Sequence, residues 1–199
     1  RPALRPVVRP SEIPLSYAQR RLWFLERLEG PSGTYTIPLA VRLTGSLDVA
    51  ALEGALNDLV ERHESLRTIF PDRVGVPRQE ILEASAAAVH LEVTAVSEAA
   101  LPDALGAASR RGFDLAVEPP LRAHLYELES GEGGERQHVV LLVLHHIAGD
   151  GWSLVPLLRD LGEFYAARRS GRAAVLPALP VQYGDYTLWQ QEVLGSEED

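Results

Sequence analysis

The run HHIAGDG, residues 145–151, closes the most hydrophobic stretch of the chain, QHVVLLVLHH. It sets two groups that titrate near neutrality a few residues before a carboxylate, and a glycine that permits close backbone approach at the start of a helix. Those are parts for handling a proton and a developing negative charge. Consecutive side chains on a strand point to opposite faces, so His145 and His146 do not converge on one ion and no metal site is expected. His146 is assigned to a cleft, where it can orient or deprotonate a nucleophile, and His145 to the packing behind the strand. Asp150 either orients an imidazole or pairs with a buried arginine. Backbone N–H groups near Gly151 and the helix after it can offer a positive partial charge to an oxyanion. The competing reading makes both histidines core residues satisfied by backbone carbonyls, with Asp150 and Gly151 a solvated turn. No serine lies in a GxSxG elbow and Ser153 reads as a helix N-cap, so a serine hydrolase has no support.

Strands and helices must hold these groups in place. QHVVLLVLHH is continuously apolar and LRAHLYELE alternates, so the two form an antiparallel hairpin about the turn SGEGGE, with the second strand buried on both faces. A helix is expected from Ser153 to Arg169, with Pro156 in its tolerant first turn. Upstream, LSYAQRRLWFLERLEG is helical, with Ser16 and Gln19 as a capping box and Gly30 as the stop. TIPLAVRLTG is a strand. LDVAALEGALNDLVERHE is a helix whose apolar face includes His63. SLRTIF and RQEIL read as short strands around the turn PDRVGVP, HLEVTAV as another, EAALPDALGAASRRG as a weaker helix and VQYGDYTLWQQEVL as a last, aromatic one. Trp23, Tyr186 and Trp189 are read as aromatic core anchors. The irregular alternation predicts an α/β (α+β) fold, a mixed β-sheet covered by helices. RPALRPVVRPSEIP, with Pro2, Pro6, Pro10 and Pro14, reads as an inter-domain linker over 1–14.

Composition narrows the classes. The 199 residues suffice for one domain with a core. A net charge of -9 offers no footprint for nucleic acid or an anionic membrane. Absence of cysteine removes disulfides, thiolate metal sites and a cysteine nucleophile, and points to the cytoplasm. No stretch is long and apolar enough for a membrane span. Methionine is also absent, so the chain is expected to be cut from something longer.

Several segments together resemble one family. HHIAGDGWS matches an HHxxxDG signature, LSYAQRRLWFL a first motif, RHESLRTIF a second and YGDYTLW a later aromatic one. In that order they resemble the condensation domains of non-ribosomal peptide synthetases, of the chloramphenicol acetyltransferase-like superfamily. The resemblance implies that residues 15–199 are the N-terminal lobe of a two-lobed domain whose C-terminal lobe is absent here. It implies amide formation by attack of an acceptor aminoacyl thioester's amine on a donor peptidyl thioester, with His146 as the catalytic residue. Asp150 is carried over as structural, paired with Arg62 or, second, Arg67. Ser16, Gln19 and Arg20 would shape the tunnel side of the lobe. No cofactor would be bound by this chain, because phosphopantetheine arrives on donor and acceptor carrier domains. The other implied partners are the missing lobe and an adenylation domain. The isolated lobe should be inactive. The alternatives are an epimerisation domain of the same fold and a non-catalytic docking domain. Heterocyclisation is disfavoured because its relatives carry aspartates where this chain has His145 and His146.

Overall fold

Ser16 opens the first helix as its N-cap: its side chain accepts from the Gln19 amide while the Gln19 side chain accepts from the Ser16 amide. Gly30, at φ 79°, closes it. The computed structural model describes residues 2–129 and 135–195. In chain order its elements are α1 (Tyr17–Glu29), β1 (Thr36–Thr44), α2 (Val49–Arg62), β2 (Thr68–Ile69), β3 (Asp72–Arg73), β4 (Val76–Pro77), β5 (Glu80–Ile81), β6 (Val93–Val96), α3 (Leu101–Arg110), β7 (Leu121–Leu128), β8 (Gln137–His145), α4 (Leu154–Arg169) and α5 (Tyr183–Leu194). The mixed α/β architecture is the one the sequence pattern predicts.

The main sheet has the order β1-β8-β7-β6. β8 lies antiparallel to both its neighbours, whereas β6 and β7 are parallel. The hairpin of β7 and β8 is therefore as expected, although its turn SGEGGE falls almost wholly outside the described residues. β8 is buried along nearly its whole length because layers cover both faces of the sheet. Val140, Leu142 and Leu144 pack with Leu56 and Leu59 of α2 and Leu157 and Leu161 of α4. Val139, Leu141 and Val143 pack on the other side with Phe113, Tyr126 and Leu101 of α3. Parity along β8 thus decides which layer each residue meets.

Three local expectations need correction. Residues 64–67 form a 3₁₀ turn, not the start of a strand, and only Thr68–Ile69 pair, with Glu80–Ile81. The segment PDRVGVP is a small hairpin of β3 and β4 with Val74 at φ 54°. Ser153 does not cap α4 in the expected way: Asp150 caps a 3₁₀ turn, Gly151–Ser153, that leads into the helix. Trp23 and Trp189 are half-buried, and the Trp189 indole donates to the Pro2 carbonyl at 2.7 Å.

Residues 2–14, expected as a tether, lie against the domain. Arg9 is clamped between Asp185, at 3.0 Å, and Glu64, at 2.6 Å. Ile13 is buried and bridges Gln79.

The loop from Gly30 to Tyr35 crosses the end of α3 at very close range. A Cβ on Gly112 would lie 2.4 Å from the backbone of Pro31 and Ser32, closer than any rotamer can relieve. Gly112→Ala is expected to cost about 1–3 kcal/mol through overpacking, measured as a lower urea midpoint at unchanged m-value.

Candidate active site

Hydrogen bonds from both neighbouring segments fix the end of β8. The His145 amide donates to the Pro120 carbonyl at 3.0 Å, and the His146 amide to the Tyr35 carbonyl at 2.8 Å. Two successive residues held from opposite edges must project oppositely. His145 falls on the α3 side, where its ring meets Phe113 edge-on at 5.9 Å. His146 is exposed.

His145 is 0% exposed. Its Nδ1 accepts the Ile147 amide at 3.0 Å, so in the neutral ring the proton sits on Nε2. Nε2 faces Glu26 Oε2 at 3.5 Å, and among the described residues neither atom has a hydrogen-bond partner. Burial, with the neighbouring His146 adding to it, pushes His145 down to about 4. Burial also raises Glu26, so the contact brings a neutral ring close to a carboxyl held above its ordinary value and is not an ion pair. Complete burial leaves His145, one of the two signature histidines, without access to a cleft.

A stability consequence follows with a definite sign. Between pH 6.5 and about 4 the unfolded chain protonates this imidazole and the folded one does not. Folded stability therefore falls as pH drops through that window, by about 2 kcal/mol between pH 7 and pH 5. Urea titrations across the window should show a shallower slope for His145→Gln than for the parent. Equal slopes would refute the assignment.

His146 lines a cavity of about 430 Å³ together with Gln19 and Leu22 of α1, His63, Leu157 of α4 and Tyr183 of α5. Gln19 reaches it while remaining 3% exposed. Ser16 is fully buried and bonds the Tyr183 hydroxyl at 3.0 Å, and Arg20 is half-buried on the same helix.

Asp150 also lines the cavity, but not as expected. Its Oδ1 accepts from the Ser153 amide at 3.1 Å and the Ser153 hydroxyl at 2.9 Å. Bonds from the Ser153 hydroxyl and then from the Ser153 and Trp152 amides outweigh the effect of burial and hold the carboxyl below its ordinary value. Arg62 does not pair with it. Arg62 Nε bonds Asp160 Oδ2 at 2.9 Å and its Nη2 the Pro177 carbonyl at 2.7 Å. Arg67 bonds the Leu82 carbonyl and lies near Glu64. The physical reason is reach: Asp150 sits on an exposed turn that satisfies it locally, while the α2 arginine lies against a buried acid on α4. Gly151 is exposed and absent from the lining. The amides that follow it already donate to Asp150, so the turn presents a carboxylate and not a free positive end.

The sequence reading missed Asp160, which is 1% exposed and takes bonds from Arg62, from Arg159 at 3.0 Å and from His63 Nε2 at 2.9 Å. Burial pushes its carboxyl up, but the His63, Arg159 and Arg62 hydrogen bonds together hold it below its ordinary value. The available signal was an aspartate within the apolar stripe of α4, between Leu157 and Leu161.

A Condensation domain model matches residues 10–199. The chain is 57% identical over 198 residues to a dimodular nonribosomal peptide synthase of Bacillus subtilis (strain 168), covering 100% of this chain and 8% of that protein. It is 50% identical to an isonitrile lipopeptide synthase of Mycobacterium tuberculosis (strain ATCC 25618 / H37Rv), covering 98% and 8%. Among solved structures it matches the X-domain from teicoplanin biosynthesis, in complex with OxyB, at a TM-score of 0.90 and 39% identity, over 100% of this chain and 42% of that one. The starter condensation domain of rhizomide synthetase RzmA shares the fold, at a TM-score of 0.80 and 20% identity over 94% of this chain and 42% of that one.

Proposed function

The chain belongs to the condensation-domain family found in non-ribosomal peptide synthetases, and on that premise we propose that residues 15–199 are the N-terminal lobe of a two-lobed, amide-forming domain. The acceptor amine nitrogen attacks the carbonyl carbon of the donor thioester. The C–N bond forms, the C–S bond breaks, and the departing sulfur takes up the proton that nitrogen gives up. Both substrates arrive on the phosphopantetheine arms of carrier domains, with an adenylation domain elsewhere in the parent chain. One observation carries the reading: of two adjacent histidines, only His146 is exposed and open to a cavity.

His146 chiefly positions the amine and accepts its proton late. A free α-amine has a pKa of about 7.7–8.0, so part of the acceptor is already neutral near pH 7. Orientation of two tethered reactants contributes more than proton transfer alone.

The likeness to an X-domain solved with OxyB favours a second reading, a docking domain for a partner enzyme. Trp152, 90% exposed, and Val155, 74% exposed, form an apolar patch beside the cavity that a partner can cover. Reconstitution with two loaded carriers separates the readings. Condensation yields a peptide one residue longer. Epimerisation yields an unlengthened donor with one inverted carbon. Partner capture without either product identifies docking.

A further inference from the structure

A second imidazole opens onto the cavity that His146 lines. His63 stands at the end of α2, its side chain 22% exposed, with Nε2 2.9 Å from Asp160 Oδ2. Asp160 is ion-paired with Arg62 and Arg159 and is therefore an acceptor, so Nε2 carries the proton and donates it. The neutral ring then keeps its lone pair on Nδ1, a nitrogen that is not among the sealed, unpartnered atoms. We propose that His63, oriented by Asp160, is a second substrate-contacting residue that accepts a hydrogen bond at Nδ1 from one N–H of the incoming amine. The inference rests on the condensation reading above and deepens it.

The chemistry of the amine gives the pair a purpose. A primary amine has two N–H bonds and one lone pair. One N–H held by His146 leaves the nitrogen free to rotate about its bond to Cα. A second N–H held by His63 stops that rotation and aims the lone pair. Burial, reinforced by Arg62 and Arg159 and opposed by Asp160, keeps His63 itself below its ordinary value and thus neutral.

The test compares acceptors in the intact synthetase. Its own acceptor amino acid and the N-methyl derivative are each loaded on the acceptor carrier, and single-turnover rates are measured for the parent and for His63→Leu. Leucine keeps side-chain bulk and carries no acceptor, whereas the amide oxygen of glutamine would retain one. The N-methyl substrate retains one N–H, which the reaction requires at His146. The variant should lose about three- to tenfold in rate with the primary amine and little with the N-methyl one, so their ratio collapses. Because the ratio is internal to each sample, partial misfolding does not move it. Equal losses with both acceptors, or no loss, would overturn the role. If the parent makes no peptide at all, the condensation reading fails separately. Equilibrium binding of soluble aminoacyl-pantetheine amide then decides the inference alone: the parent should prefer it over its N-methyl analogue about three- to tenfold and His63→Leu should bind both equally, while a parent without preference refutes it.

Discussion

Replacing His146 with alanine in the intact synthetase is expected to lower peptide formation by about two to four orders of magnitude, with no change in thermal unfolding. The side chain is exposed, and its anchoring bond runs from the backbone amide to Tyr35, which alanine keeps. What is lost is the group that holds the amine and receives its proton as the C–N bond forms. Measurement by single turnover with both carriers loaded isolates this step from loading and release. Its pH dependence then separates the two duties of the ring. A rate that follows an ionisation of the enzyme, with substrate amine ionisation excluded, would mean simple base catalysis. A rate that follows the amine would mean positioning. Full product output from His146→Ala would refute the proposed role.

Asp160→Ala is expected to produce the largest loss of stability, about 3 kcal/mol, corresponding to a drop of roughly 6–12 °C in melting temperature for a chain of this size. The carboxylate is buried and shared by three donors, and Arg62, with a side chain 14% exposed, is left as an uncompensated buried charge. Arg159 is 63% exposed and His63 is neutral, so neither adds a comparable penalty. The pH dependence has a checkable sign. Asp160 titrates below its ordinary value, so its stabilising contribution is fully present above the unfolded-state pKa of about 4 and disappears as pH falls through the folded value. The parent and the variant should therefore converge in acid and diverge towards neutrality. A constant difference from pH 7 to pH 3 would refute the electrostatic account.

Much of the frame was legible because it depends on short-range regularities. The capping box of Ser16 and Gln19, the twofold parity of β8 and the apolar run that demands cover on both sheet faces are all local patterns with one structural solution. The 3₁₀ turn at Glu64–Arg67 was not legible, because a short segment with β-branched neighbours reads as a strand until its partners are known. Asp150 was misjudged for a related reason. A carboxylate can satisfy itself on its own turn or reach a distant arginine, and the linear chain does not rank those options.

By itself, the amino-acid order determined the opposed directions of His145 and His146, since alternation along a strand is a property of the backbone. It determined a mixed sheet under helices for the same reason. Only the tertiary structure decided which face became a cavity, that Asp160 and not Asp150 holds Arg62, and that His63 shares the cavity with His146. Those outcomes depend on how α2 and α4 pack over β8, a matter of contacts between residues nearly a hundred positions apart, such as the one between Arg62 and Asp160.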